Sequence, residues 1–389
     1  MSLGPAEQRR YSRHLVMPEV GREGQERLAA ASVLVVGAGG LGSPAALYLA
    51  SAGVGRLGLM DFDQVEESNL HRQILFSEAD IGQSKVAVAA ARLAEINPHV
   101  EIEAIAARLN AGNAVETIGD YDLVVDGSDN FPTRYLVNDA CVQAGRPDVF
   151  GSVLRFEGQV SVFAAPTGPC YRCLFPEPPP PGVIPSCAEA GVLGVLPGII
   201  GSLQAHEAIK LLLGLGSPLV GRLLVFDGIK MKFREIAVPR RPDCPTCAPG
   251  TTQKQLVEYE EACVVAHPQG RETHAAQSRS GEEVPFEISP SEVQNWRDAG
   301  RSFSFVDVRM PREFEVASVA GTTLLPLHEL PQRFAELDRG QPMVVMCHHG
   351  IRSAQAVAFL RSQGFPLARN LTGGIAAWAR DVDGSIPQY

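Results

Sequence analysis

No stretch of this sequence stays apolar for long enough to cross a bilayer. The longest candidate, GVLGVLPGIIGSL at 191–203, is interrupted by a proline and falls short of the ~20 residues a spanning helix needs. The opening MSLGPAEQRRYSRHL lacks the apolar core of a secretory signal. Positive charge is short as well: 34 Lys and Arg stand against 44 Asp and Glu, a formal net charge of −10. That balance argues against general binding to nucleic acid or an anionic membrane, so local basic residues are read as parts of a site. Eight cysteines in 389 residues are too few for a disulfide scaffold. The expectation is a cytoplasmic, reducing setting in which thiols serve metal or sulfur chemistry. The remaining composition is ordinary, with 45% hydrophobic and 20% charged residues, and the length suits about two cored domains.

Residues 31–63 read as strand, glycine turn, helix, strand. SVLVV is a short β-branched run, RLGLMD is the next, and Gly37, Gly39 and Gly42 between them fit G-x-G-x-x-G. Glycines there let the backbone turn tightly and approach a phosphate at the helix N-terminus. Asp61 ends the second strand, where an acid can meet ribose hydroxyls. By itself the motif leaves NAD and ATP open. Past Asp61, ESNLHRQ at 67–73 supplies Asn69, Arg72 and Gln73, GQSKV places Lys85 at a helix start, and DLVVDGSDN at 122–130 ends a strand in Asp126, Asp129 and Asn130. Hydride transfer needs no such set of cations. Displacement of pyrophosphate does, because charge builds on the leaving oxygens and a metal must neutralise it. Asp129 offers hard oxygen to Mg²⁺.

The cysteines form two C-x-x-C pairs, Cys170 with Cys173 and Cys244 with Cys247. One such pair can be redox-active. Two pairs that meet through the fold predict a closed, tetrahedral, structural Zn²⁺ site. Between them lies FPEPPPPGVIPSCAEAGVLG at 175–194, a polyproline stretch followed at once by Cys187. An exposed loop cysteine can reach a reactive carbonyl; GIIGSLQAHEAIKLLLGLG then reads as a helix packed on the sheet.

These segments, in order from RYSRHL through GAGGLGSP, LMDFDQVEESNLHRQ, GQSK, DGSDN and CYRC to CPTC, closely resemble the MoeB/ThiF adenylyltransferases, relatives of the ubiquitin-activating enzymes. The resemblance implies a Rossmann-like ATP-binding fold over residues 1–248. It implies adenylation, with MgATP, of the C-terminal glycine of a small ubiquitin-like sulfur carrier ending in Gly-Gly. It also implies roles. Gly39 and Gly40 lie against the nucleotide, Asp61 and Asn69 hold ribose or nearby phosphate, and Arg72, Gln73 and Lys85 face the phosphates. Asp129 takes Mg²⁺ beside Asn130, and Arg13 reaches into the partner subunit of a homodimer. Cys187 matches a cysteine assigned to a covalent carrier intermediate.

Residues 249–283 are polar, rich in Gln, Ser and Thr, and without sustained periodicity, and are read as a linker that includes an incidental thiol, Cys263. From 284 to 389 strands and helices alternate again, as in a small α/β domain. SPSE is a capped helix start, and FSFVDVR is a strand ending in Asp307 and Arg309. MVVM followed by CHHGIRS puts Cys347 in a loop ahead of a helix N-terminus. Backbone N–H groups, the helix end, and charge from His348, His349 and Arg352 are expected to favour thiolate there. VDVRMPREFE, CHHGIRS and NLTGGIAAW together resemble a rhodanese, with His348, His349, Gly350, Ile351 and Arg352 forming the persulfide loop. Ala317, Ser318 and Val319 stand where many rhodaneses have Gly-His-Ile. Dual-specificity phosphatases share the fold, but with five residues between Cys and Arg. The four here make a tighter cradle, suited to one persulfide sulfur rather than a phosphate.

The two halves explain each other. One makes a carboxylate electrophilic and the other carries sulfur on Cys347, so the product is a carrier thiocarboxylate, as in MoeZ-like adenylyltransferase/sulfurtransferases. A cysteine desulfurase or thiosulfate would supply the sulfur, and the carrier that docks would choose among molybdopterin, thiamine, tRNA-thiolation and cysteine biosynthesis. The rival classes are a NAD-dependent oxidoreductase fused to a sulfurtransferase and a scaffold that only binds carriers.

Overall fold

The computed structural model describes residues 3–179, 191–248, 250–251, 255–257 and 284–387. Cys187, Cys263 and the end of the polyproline stretch lie outside the described residues. The chain divides into two compact units, Met1–Glu261 and Ala262–Tyr389. Leu256, inside the polar segment, packs half-buried against the first unit's core. No described helix is long and apolar enough to cross a membrane.

The first unit opens with helices α1 (Pro5–Arg10), α2 (Ser12–Leu15) and α3 (Gly21–Ala30). The Rossmann-type repeat follows: β1 (Ser32–Val36), α4 (Gly42–Ala52), β2 (Arg56–Met60), α5 (Lys85–Ile96), β3 (Glu101–Ile105), α6 (Ala114–Gly119), β4 (Leu123–Asp126), α7 (Phe131–Ala144) and β5 (Asp148–Leu154). These five strands are parallel, in the order β3-β2-β1-β4-β5. β6 (Glu157–Phe163), the short α8 (Tyr171–Leu174), α9 (Val195–Leu213), β7 (Arg222–Asp227) and β8 (Lys232–Ala237) come next, and β6 to β8 extend the sheet antiparallel to eight strands. β1 and β4 are buried along nearly their whole length, as a central strand covered on both faces must be. One face carries α4, α5 and α9 through Leu49, Ala89, Leu93 and Ala208; the other carries α6 and α7 through Ile118, Val137 and Ala140. The strand order reverses between β1 and β4, and a crevice at the carboxyl ends of strands forms at such a switch.

The second unit is a five-stranded parallel sheet in the order β11-β10-β12-β13-β9. Its elements are β9 (Glu287–Ile288), α10 (Pro290–Asp298), β10 (Ser304–Asp307), α11 (Pro311–Val316), β11 (Thr323–Leu324), α12 (Leu330–Arg333), β12 (Met343–Met346), α13 (Ile351–Ser362), β13 (Ala368–Leu371) and α14 (Gly374–Asp381). Ser289 caps α10 by accepting from the Glu292 N–H, and Glu292 returns a carboxylate to the Ser289 N–H at 2.9 Å. β12 is central and wholly buried, which places the residue after it, Cys347, at the heart of the unit.

Candidate active sites

At the switch between β1 and β4 a cavity of about 320 Å³ opens. The turn after β1 explains its shape. Gly37 takes φ +88°, and a Cβ there would press on the Gly127 carbonyl oxygen at 2.9 Å. At Gly42 a Cβ would lie 1.8 Å from the Gly37 carbonyl oxygen. Both positions therefore exclude a side chain, and the backbone itself becomes the pocket floor.

Gly39, Gly40, Asp61, Arg72, Gln73, Lys85, Asp129 and Asn130 all line this cavity. The Asp61 carboxylate is held by the Ala38 N–H at 2.8 Å and the Asp63 N–H at 2.9 Å. Lys85, buried at the start of α5, is paired with the Asp63 carboxylate at 2.9 Å. Asn69 does not line the cavity. Its Oδ1 accepts from Arg72 Nη2 and Gln73 Nε2, each at 3.0 Å, so it props the two residues that do. Gln73 Oε1 is buried without a hydrogen-bond partner. Asn130 uses its Oδ1 to cap α7 through the Thr133 N–H at 2.9 Å, a structural task the sequence did not reveal. Asp129 is exposed at the cavity mouth. Arg13 is exposed on α2 and is not among the lining residues. Arg108 and Arg134 also line the cavity and were missed, because neither sits in a spaced motif.

The four paired cysteines come together. Their sulfurs all lie within 4.8 Å of one another and all four residues are buried. Cys170 meets Cys244 at 3.5 Å and Cys173 meets Cys247 at 3.4 Å, far too long for disulfide bonds. Tetrahedral Zn–S bonds of about 2.3 Å put sulfurs roughly 3.8 Å apart, so the donor set fits zinc. Burial pushes the Cys170 thiol up, and pushes Cys247 up to about 11. Cys244 goes the other way: burial opposes its ionisation, but hydrogen bonds from the Cys247 and Thr246 backbone outweigh that and lower it. A cation bound among the four sulfurs would favour their thiolate forms.

In the second unit Cys347 is buried, and its Sγ accepts from the Gly350 N–H at 3.1 Å and the Ser353 hydroxyl at 3.3 Å. Gly350 adopts φ +97°, which turns that N–H inward. Behind the loop, the Cys347 and His348 carbonyls accept from Ile375 and Ala376 of α14. The charges differ from the expectation. Arg352 is committed to a two-pronged ion pair with Glu313, and His348, buried and stacked on His349 at 4.1 Å, has its imidazole pushed down to about 4 by burial and then by neighbouring cations. Its ring is therefore neutral at physiological pH. Arg309 and Asp307, both fully buried, pair at 2.6 Å, and Arg309 also holds the Ala317 carbonyl at 2.8 Å. That contact fixes the segment carrying Ala317, Ser318 and Val319, where Ala317 and Val319 are buried.

Residues 11–246 match the ThiF family, and residues 289–381 match the rhodanese-like domain. The chain belongs to the ThiF family. This ThiF-family chain is 45% identical over its whole length to a probable adenylyltransferase/sulfurtransferase MoeZ of Mycobacterium tuberculosis, of which 97% is covered. Adenylyltransferase and sulfurtransferase MOCS3 of Sus scrofa is 45% identical across 98% of the chain and 87% of its own length. A sulfur carrier protein adenylyltransferase of Thermus thermophilus is 58% identical over 65% of the chain and 96% of its own length. Among solved structures, E. coli MccB with ATP is 25% identical with a TM-score of 0.54, covering 63% of this chain and 75% of that one. The chain is an enzyme that joins an adenylyltransferase to a sulfurtransferase domain.

Proposed function

We propose that this enzyme uses MgATP to adenylate the C-terminal glycine of a small ubiquitin-like sulfur carrier, and then replaces the adenylate with sulfur carried as a persulfide on Cys347. The observation that carries the reading is one chain holding both sites: a glycine-floored pocket with Arg72, Lys85 and Asp129 on its walls, and a buried thiol that accepts two hydrogen bonds from its own loop. The Thermus relative is named for a sulfur carrier protein, and the MccB structure holds ATP.

A carboxylate is a poor electrophile because its leaving group would be oxide. In the first step its oxygen attacks the α-phosphorus and the bond to the β-phosphate breaks, releasing pyrophosphate. Arg72 and Lys85 stabilise the growing negative charge, with Gln73 orienting and Asp61 on the ribose. Magnesium bound at Asp129 would neutralise the leaving oxygens. In the second step the outer sulfur of the Cys347 persulfide attacks the acyl carbon and AMP leaves, giving an acyl disulfide. A second thiolate then attacks Cys347 Sγ and expels the thiocarboxylate as a disulfide forms, which an external reductant resets. Cys187 is the proposed second thiol; a thioester stage on it is the alternative route.

Other parts of the reading are proposals of the same kind. Cys170, Cys173, Cys244 and Cys247 would hold one structural zinc ion. Arg13 would complete the pocket of the partner subunit in a homodimer. Residues 249–283 would let the two domains exchange the carrier. A cysteine desulfurase or thiosulfate would load Cys347 in the cytoplasm. The test is Asp129→Ala in the full chain: carrier-dependent ATP–pyrophosphate exchange should fall by more than about a hundredfold, while thiosulfate sulfurtransferase activity stays near wild type. Loss of both activities in folded protein would sink the two-site reading.

A further inference from the structure

Arg134, one turn into α7, forms part of the wall of the first pocket. Its guanidinium stands over the rings of Phe131 at 5.5 Å and Phe150 at 5.1 Å, and Nη2 donates to the Ser128 carbonyl at 3.2 Å. Two acids stand beside it in the sheet. Asp126 closes β4 and Asp148 opens β5. In the parallel ladder Asp148 is level with Val124, and Asp126 with Phe150. Side chains alternate along a strand, so both carboxyls face the α7 side as diagonal neighbours. They are 0% and 1% exposed. Asp126 Oδ1 accepts from the Ser128 N–H at 2.9 Å, whereas Asp126 Oδ2 and Asp148 Oδ1 have no hydrogen-bond partner. An apolar residue at 148 would pack this core more cheaply than a buried acid. A task for the acid follows from where Arg134 sits.

We propose that Asp148 is a positioning residue for adenylation: with Asp126 it holds Arg134 in the pocket wall, and the charge on the pair sets how firmly that guanidinium is drawn away from the nucleotide. The proposal rests on the pocket binding MgATP. Burial pushes Asp148 well above the ordinary carboxylate range, with the Asp126 charge adding to it and Arg134 opposing. Burial also raises Asp126, again against Arg134. The other titratable groups that face the pair are Asp129 from the loop after β4, Cys141 from α7 and Tyr171 from α8. Burial raises the Cys141 thiol and the Tyr171 hydroxyl, which leaves both neutral. The pair thus keeps a proton at low pH and yields it as pH rises. Two carboxylates then face one guanidinium, and the hold on an anionic ligand weakens.

The experiment is calorimetric titration of the full-length protein with MgATP from pH 6 to 9, for wild type, Asp148→Asn, Arg134→Gln and the double variant. Wild-type affinity should fall as pH rises. Asp148→Asn should bind more tightly than wild type by a factor that grows with pH, since the second negative charge cannot form. In the Arg134→Gln background Asp148→Asn should change affinity by less than about twofold. A core-packing role alone would shift melting temperature and leave the pH slope of affinity intact. Parallel affinity profiles for wild type and the isosteric Asp148→Asn would overturn the proposal even if Arg134→Gln failed to fold. No MgATP binding by wild type at any pH would overturn the nucleotide reading, and this proposal with it.

Discussion

Arg352 sits at the end of the Cys347 loop, yet its guanidinium forks onto both oxygens of Glu313, at 2.6 and 2.8 Å. Burial opposes the Glu313 charge and the Arg352 fork outweighs it, so that carboxyl lies below its ordinary value. Cys347 Sγ accepts from the Gly350 N–H and the Ser353 hydroxyl, while the Arg352 charge is paired with Glu313. Spacing could show that CHHGIRS is a cradle. It could not show that Arg352 is matched by an acid 39 residues away, or that His348 is buried. His348 gives a stability prediction. A histidine whose folded value is pushed down to about 4 contributes stability that is complete above its unfolded value near 6.5 and is lost as pH falls through about 4. Between pH 7 and 4 the second unit should lose about 1–2 kcal/mol through this ring, the full shift being discounted for solvent screening. His348→Asn should flatten that part of the curve in thermal melts of the whole protein. An unchanged slope would show that the ring does not titrate as its burial implies.

At the scale of elements, the turn between β1 and α4 was legible because its constraint is local. Gly37 and Gly42 must pass within contact of each other's backbone, and only glycine fits. Gly42→Ala should cost at least about 3 kcal/mol, because a methyl meets a carbonyl that the α4 packing holds in place. Urea unfolding measures it, and a cost below about 1 kcal/mol would mean that the turn can yield. The cysteine knuckles were legible as pairs; their meeting across 74 residues follows from the four ligands a closed zinc site needs, and the fold supplies it. Elemental analysis should find one zinc per chain. Cys244→Ser should lose it and lower the melting temperature of the first unit, since a closed site contributes folding free energy directly. Folded, active, zinc-free wild type would contradict this. The Asp126–Asp148 pair was not legible at all. The diagonal placement comes from strand register between β4 and β5, and no spacing along the chain encodes that.

For the whole molecule, the order of motifs revealed two α/β units, and the structure gives each its own sheet and core. What a single chain could not encode by pattern is how Cys187 and Arg13 take part: Cys187 lies outside the described residues, and Arg13 is exposed and is not among the residues lining the pocket of its own chain. The central claim is that the two sites work in sequence on one carrier. The direct measurement is intact-mass analysis of a ubiquitin-like sulfur carrier ending in Gly-Gly, incubated with ATP, magnesium, reductant and thiosulfate. Wild type should convert the carrier to a thiocarboxylate, one oxygen replaced by sulfur. Cys347→Ser should form the acyl-adenylate and release pyrophosphate but yield no thiocarboxylate, because serine cannot hold a persulfide. Added sulfide should restore the product by attacking the adenylate directly. Normal thiocarboxylate formation by Cys347→Ser with thiosulfate as the sole sulfur source would contradict the account.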